Sequence, residues 1–167
     1  IGGFDKVLDY IDSGEYQGST VGRVCNRLKN AEYMIDGVKY STFKNEGNNV
    51  CHAGRFGLNA KSLSVEELDD ENEPALRLTY LSPDGEEGFP GNLRFNVVYT
   101  LTDNGDLVIE YSATSDKDTI CNFTNHSYFN IGESDTVLPY TIQVFASRYT
   151  PYDQKMICHG EIRDVLK

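Results

Sequence analysis

The chain has 167 residues, 15 of them basic and 26 acidic, for a formal net charge of −11. That length suffices for one domain with a core of its own. The acidic balance argues against nucleic acid and anionic membrane surfaces as partners, and no apolar run is long enough for a membrane-crossing helix.

In chain order, Lys6 to Ile11 predicts a short helix. Ala31 to Ile35 and Val38 to Thr42 flank Asp36-Gly37, a strong two-residue hairpin signal. Lys61 to Leu68 and Ala75 to Leu81 read as a second strand pair, with the acidic run Asp69 to Glu73 as its solvated tip. Ser82 to Gly91 is a polar loop rich in turn residues, either a surface crossover or the rim of a pocket. Leu93, Phe95, Val97, Tyr99 and Leu101 alternate with Arg94, Asn96, Val98 and Thr100, the period of a strand with one core face. Asp103-Asn104-Gly105 then turns the chain into a return strand over Leu107 to Ala113. Thr124 to Asn130 reads as a buried strand, and Val137 to Ala146 as a further one. The fold class is therefore all-β, with a sandwich as its natural architecture. No repeat or linker divides residues 1–167, so a single domain is expected.

Cys25, Cys51, Cys121 and Cys158 form no C-x-x-C pair, which argues against a zinc ribbon or a thioredoxin-type motif. Reduced thiols in a cytoplasmic protein are expected. The sequons at Asn122 and Asn125 fall on a predicted core strand and read as chance matches. No signal peptide is visible, and the start at Ile1 fits a processed or truncated product.

The chain has three histidines. His126 lies in Thr124-Asn125-His126-Ser127-Tyr128-Phe129-Asn130, where a buried imidazole requires hydrogen-bond partners. Thr, Asn, Ser and Tyr neighbours can hold such a ring in one tautomer. His52 lies in Asn48-Asn49-Val50-Cys51-His52-Ala53-Gly54, where small residues let a ligand approach. His159, in a polar turn, reads as solvated and receives no role. Arg23 and Arg27 have an ordinary reading as solvated charges. Gly22 and Asn26 suggest instead a shaped turn from which Arg27 donates to hydroxyls. Two imidazoles would need a further ligand to hold a metal. Glu46 is near His52 in sequence, but nothing in the spacing fixes such a site, so no metal is expected. A Cys51 nucleophile is disfavoured because its side chain would point away from that of His52 in a strand.

Several ordered segments resemble the aldose 1-epimerase family, the galactose mutarotases. Thr124 to Asn130 resembles the family's TNHSYFN signature. Gly3-Phe4-Asp5 with Tyr10 resembles its opening segment, and Tyr16 to Val21 the approach to its first site motif. Gly22 to Arg27 resembles GRVANR, with Cys25 in place of alanine. Asp36 to Tyr40 matches the hairpin that follows, and Asn48 to Gly54 resembles N-x-LHGG. Ser82 to Gly91 resembles SPDGEEGYPG, and Arg148 to Asp153 with Gly160-Glu161 resembles RYTPVD…TGE.

The resemblance implies a partial galactose-mutarotase-like β-sandwich with an open sugar cleft. It implies interconversion of the α and β anomers of neutral hexoses such as galactose and glucose, with no metal or organic cofactor. His126 takes the place of the general acid, which protonates the sugar ring oxygen. His52 matches the second histidine near that oxygen. Asn26 and Arg27 match residues that hold sugar hydroxyls, and Tyr128 is a further contact.

The matched segments cover the middle half of such a protein. The family's glutamate base and a sugar-binding aspartate fall beyond Lys167, and its first strands precede Ile1. A second chain or a missing segment is therefore expected to complete the fold. His52-Ala53-Gly54 departs from HGG, Gly57-Leu58-Asn59 departs from GFD, and the chain has no tryptophan. The absent base leaves a non-catalytic carbohydrate-binding module as the alternative. A phosphorylated hexose would call for extra basic residues, which the −11 balance does not support.

Overall fold

The structure, a computed structural model, describes residues 1–68 and 73–165. One short helix, α1 (Val7–Ser13), buries no residue and ends at Gly14, whose φ of 65° suits glycine. Twelve strands are described. The first five are β1 (Thr20–Val21), β2 (Arg27–Leu28), β3 (Glu32–Ile35), β4 (Val38–Ser41) and β5 (Val50–Cys51). They are followed by β6 (Ser64–Leu68), β7 (Ala75–Ser82), β8 (Leu93–Leu101) and β9 (Leu107–Ser115). The last are β10 (Thr124–Asn125), β11 (Arg148–Tyr149) and β12 (Arg163–Asp164).

The long strands form one antiparallel meander in the order β6-β7-β8-β9. Its register puts the apolar sets on one face. Val97 lies opposite Leu78 and Tyr111, and Phe95 opposite Tyr80 and Ala113. Because side chains alternate across a strand, the intervening positions of β8 face the other way. There Asn96 accepts a hydrogen bond from Thr79 and donates one to Ser112.

The inner face is covered by short elements, which makes the chain a partial sandwich. β1 pairs with β10, and Phe123, just before β10, packs its ring 4.7 Å from that of Phe95. Leu58 joins Leu93, Phe95 and Val97 in this core. The approach is close at Gly22, where a Cβ would stand 2.5 Å from the Phe123 ring and 2.8 Å from Leu58. A smaller cluster of Val24, Ala53 and Phe89 lies beside it, with Tyr33 stacked on Phe89 at 5.8 Å.

The predicted hairpins form at β3–β4, β6–β7 and β8–β9, and the predicted helix forms one residue late. Of the predicted hairpin tip, residues 69–72 lie outside the described residues. Two strand expectations fail. Val137 to Ala146, in which Tyr140 to Val144 alternates in hydrophobicity, is assigned to no strand, and Leu138, Ile142, Val144 and Phe145 are exposed. Alternation alone makes no strand without a neighbour for its N–H and C=O groups. In Thr124 to Asn130 only the first two residues are strand, and Tyr128 and Phe129 are half exposed.

Arg23 is also not a solvated charge. It is 4% exposed, and its guanidinium donates to Ser82 Oγ (2.9 Å) and to the carbonyls of Ser82, Pro83, Pro90 and Gly91 (2.8–3.0 Å). Pro83, Pro90 and Gly91 lie in the loop between β7 and β8, outside the ladder, and a buried carbonyl must be paired. Arg23 pairs four at once. Beneath it, Glu86 accepts from Lys61, Tyr80 and Ser82. Burial acts to raise the Glu86 carboxyl, but these donors outweigh it and hold the group below its usual range. The loop is thus clamped to the domain at both edges.

Candidate active site

His52 is set by main-chain pairing. β2 and β5 align Arg27 with Cys51. One step further, the His52 N–H donates to the Asn26 carbonyl at 3.0 Å. In return the Asn26 N–H donates to His52 Nδ1 at 3.1 Å. Both residues have positive φ, 60° and 55°, the conformation that turns each away from its strand. Because a backbone N–H can only donate, Nδ1 is the acceptor, and the neutral ring carries its proton on Nε2. Burial pushes the His52 pKa below the ordinary histidine value. His126 and Arg27 act in the same direction, and Glu46 opposes them.

The turn around His52 is tied down on both sides. Asn45 accepts from the Cys51 N–H and donates to the carbonyls of Cys51 and Gly54. The Glu87 carboxylate accepts from the Arg55 N–H at 2.8 Å. It lies against Gly54, whose φ of 105° favours glycine.

His126 arrives from a different part of the chain. Its N–H donates to the Ser19 carbonyl (3.0 Å) and its carbonyl accepts from Gly18 N–H (3.2 Å), extending the β1–β10 ladder by a step. The neighbours expected to hold its ring bond elsewhere. Asn125 accepts from the Ser127 N–H, Thr124 donates to the Asn125 carbonyl, and Asn130 bonds Ser134 and Tyr140. Among the described residues no hydrogen bond reaches the His126 ring. Other rings surround it instead. The His52 and His126 centroids are 5.3 Å apart with planes at 87°. Tyr16 lies 4.7 Å from His52 and 5.7 Å from His126, and Tyr128 lies 5.1 Å from His126.

Arg27 is less free to meet a ligand than its motif suggested. Its Nε and Nη2 each donate to Glu46 at 2.6 Å, a two-point fork on a carboxylate. A longer contact of 3.4 Å joins Nη1 to the Asn26 side chain. The fork raises the Arg27 pKa and lowers that of Glu46. Glu46, considered near His52 on sequence grounds, thus neutralises the arginine. Among the described residues no three of His, Cys, Asp and Glu cluster as a metal site would require. Burial pushes the Cys51 thiol up, which works against a thiolate there.

An open groove of about 910 Å³ lies beside the pair, lined by Arg27, Lys29, Glu46, Asn49, Asp153 and His159 among others. Of the five site residues only Arg27 lines it. Neither His52 nor His126 lines this groove. His159 is bonded rather than simply solvated. Its Nε2 is 2.9 Å from Asp153 Oδ2, and this contact with two backbone N–H groups lowers the Asp153 carboxyl to about 2.

The structure therefore brings together Asn26, Arg27, His52, His126 and Tyr128 from three separated segments. Sequence reasoning missed the ring of Tyr16 packed against both histidines and the fork of Glu46 on Arg27. Neither residue type announces such a contact, since each depends on which loops fold together.

A family model described as aldose 1-epimerase matches residues 1–167. The galactose mutarotase of Bos taurus is 36% identical over 165 residues, covering 98% of this chain and 47% of that protein. The aldose 1-epimerase of Escherichia coli K12 is 35% identical over 157 residues, covering 93% and 44%. The crystal structure of galactose 1-epimerase from Lactobacillus acidophilus superposes with a TM-score of 0.89 at 29% identity, over 99% of this chain and 49% of that one. The chain spans about half the length of these relatives. With the fold, the ordered motifs and the family match in agreement, this chain belongs to the aldose 1-epimerase family.

Proposed function

We propose that this protein is an isomerase that interconverts the α and β anomers of free hexoses such as galactose and glucose. The observation that carries this reading is the meeting of His52 and His126 at 5.3 Å in a chain of this family.

In ring opening, the ring oxygen gains a proton and the electron pair of its bond to C1. The anomeric hydroxyl loses its proton as C1 becomes a carbonyl. Rotation about C1–C2 and the reverse steps close the other anomer. His126 is the general acid for the ring oxygen, a role suited to an imidazole, which can both give and take a proton. His52, held neutral with its proton on Nε2, donates a hydrogen bond near the same oxygen. Asn26 and the Arg27 N–H groups not taken by Glu46 hold hydroxyls. Tyr128, half exposed beside His126, offers a ring face to the apolar side of the sugar. These proton transfers need neither metal nor organic cofactor. The base is a carboxylate from the part of the relatives' length that this chain does not span, supplied by a further segment or a second chain.

Polarimetry of freshly dissolved α-D-galactose tests the proposal. The active protein should speed the approach to equilibrium rotation, and His126→Ala should lose roughly 10²–10⁴-fold of that acceleration. Equal rates in the two proteins would overturn the assignment of the acid. Sugar affinity with no acceleration would mark a carbohydrate-binding module.

A further inference from the structure

Tyr16 has no role in the chemistry above, yet it lies at the centre of the site. Among the described residues its ring is the only one packed against both imidazoles, 4.7 Å from His52 at 59° and 5.7 Å from His126 at 35°. Its backbone is held at φ 53°, a conformation a bulky residue rarely adopts. The turn that holds it is fastened to the site itself. The Ser19 N–H and Oγ both donate to the Tyr16 carbonyl (3.0 and 2.8 Å), and Gly18 and Ser19 carry the main-chain bonds to His126. The phenol hydroxyl makes no hydrogen bond among the described residues, so contact through the ring is what the position provides.

We propose that Tyr16 is a positioning residue. Its ring, packed against both imidazoles where they meet each other, sets the angle and spacing at which His52 and His126 meet the substrate. The role follows from how the histidines are held. Main-chain bonds fix where each residue sits, and one bond from Asn26 steadies the His52 ring. Among the described residues only ring packing restrains the plane of His126. A proton donor that turns freely loses alignment with its acceptor, and small misplacements of a reacting group are costly. Tyr16 packs its ring on His52, whose charged and titratable neighbours are His126, Arg27 and Glu46, with Cys51 adjacent in the chain. The inference rests on the reading of the two histidines given above.

The test is Tyr16→Gly, which removes the ring while suiting the positive φ, with Tyr16→Leu as a second, volume-retaining variant. Two signals are read in folded protein: the imidazole resonances of His52 and His126 through a pH titration, and mutarotation of α-D-galactose. Both imidazoles should shift in Tyr16→Gly and Tyr16→Leu, with the His52 midpoint moving up toward the ordinary value. kcat should fall about 10–100-fold while KM changes little. Tyr16→Phe should recover most of the loss, because the ring and not the hydroxyl acts. Unmoved imidazole signals in the ring-deleted variants would overturn the proposal, and so would a Tyr16→Phe as impaired as Tyr16→Leu. A His126→Ala protein of wild-type rate would instead sink the reading of the histidines, a distinguishable failure.

Discussion

Arg23 and Arg27 stand four residues apart in one short motif and have opposite fates. Arg23 faces a loop whose carbonyls have no ladder partners, so its donors are taken up by backbone and it disappears into the core. Burial lowers its pKa, with Glu86 the first of several charges that oppose the shift. Arg27 faces a carboxylate at the edge of an open groove. The same side chain closes the fold in one place and furnishes a site in the other. The difference lies in the partner each one meets, which the motif alone does not contain.

The division can be broken by substitution. Arg23→Leu leaves Ser82 Oγ and four carbonyls without their donor, and should cost roughly 3–5 kcal/mol of stability in urea denaturation. Arg23→Lys should recover little, because a compact ammonium cannot span the fork's acceptors. Arg27→Ala should show the reverse pattern. Its stability change should stay near about 1 kcal/mol, because the pair is only partly buried, while mutarotation falls about 10–100-fold with the loss of charged donors. An Arg27→Ala protein as unstable as Arg23→Leu would erase the contrast. Glu46→Gln should act more weakly, raising KM a few-fold as Arg27 loses its charged anchor.

The smallest effect concerns pH. The folded His52 pKa lies below the unfolded value of about 6.5. Above that value the ring is neutral in both states, and its contribution to stability is fully present. As pH falls further, the unfolded chain binds a proton first, and the contribution declines until pH passes the folded pKa. The stability of the native protein relative to His52→Gln should therefore be flat above about pH 7 and fall below about pH 6. A gap that widens on acidification would contradict the buried, neutral assignment.

Much of the fold was legible because it rests on local physics. The alternation of Leu93 to Leu101 and the turn at Asp103 to Gly105 specify β8 and β9 with no distant information. Val137 to Ala146 shows the same kind of pattern and forms no strand, because a ladder requires a partner that periodicity cannot supply. In the site, His52, His126 and Arg27 were legible through their motifs. The reasons first offered for His126 were not right: its polar neighbours hold backbone, and rings hold the imidazole.

By itself, then, the sequence determined the all-β class, the long hairpins, the acidic balance and the family. Each depends on residue type and short spacing. Only the tertiary structure decided that Arg23 is buried, that Glu46 engages Arg27, and that Tyr16 packs against both histidines. Those outcomes join residues 16, 26, 52 and 126, brought together by main-chain pairing of β1 with β10 and of β2 with β5. Such pairing is set by which backbone groups find partners across the fold, and the residues nearby in sequence do not determine it.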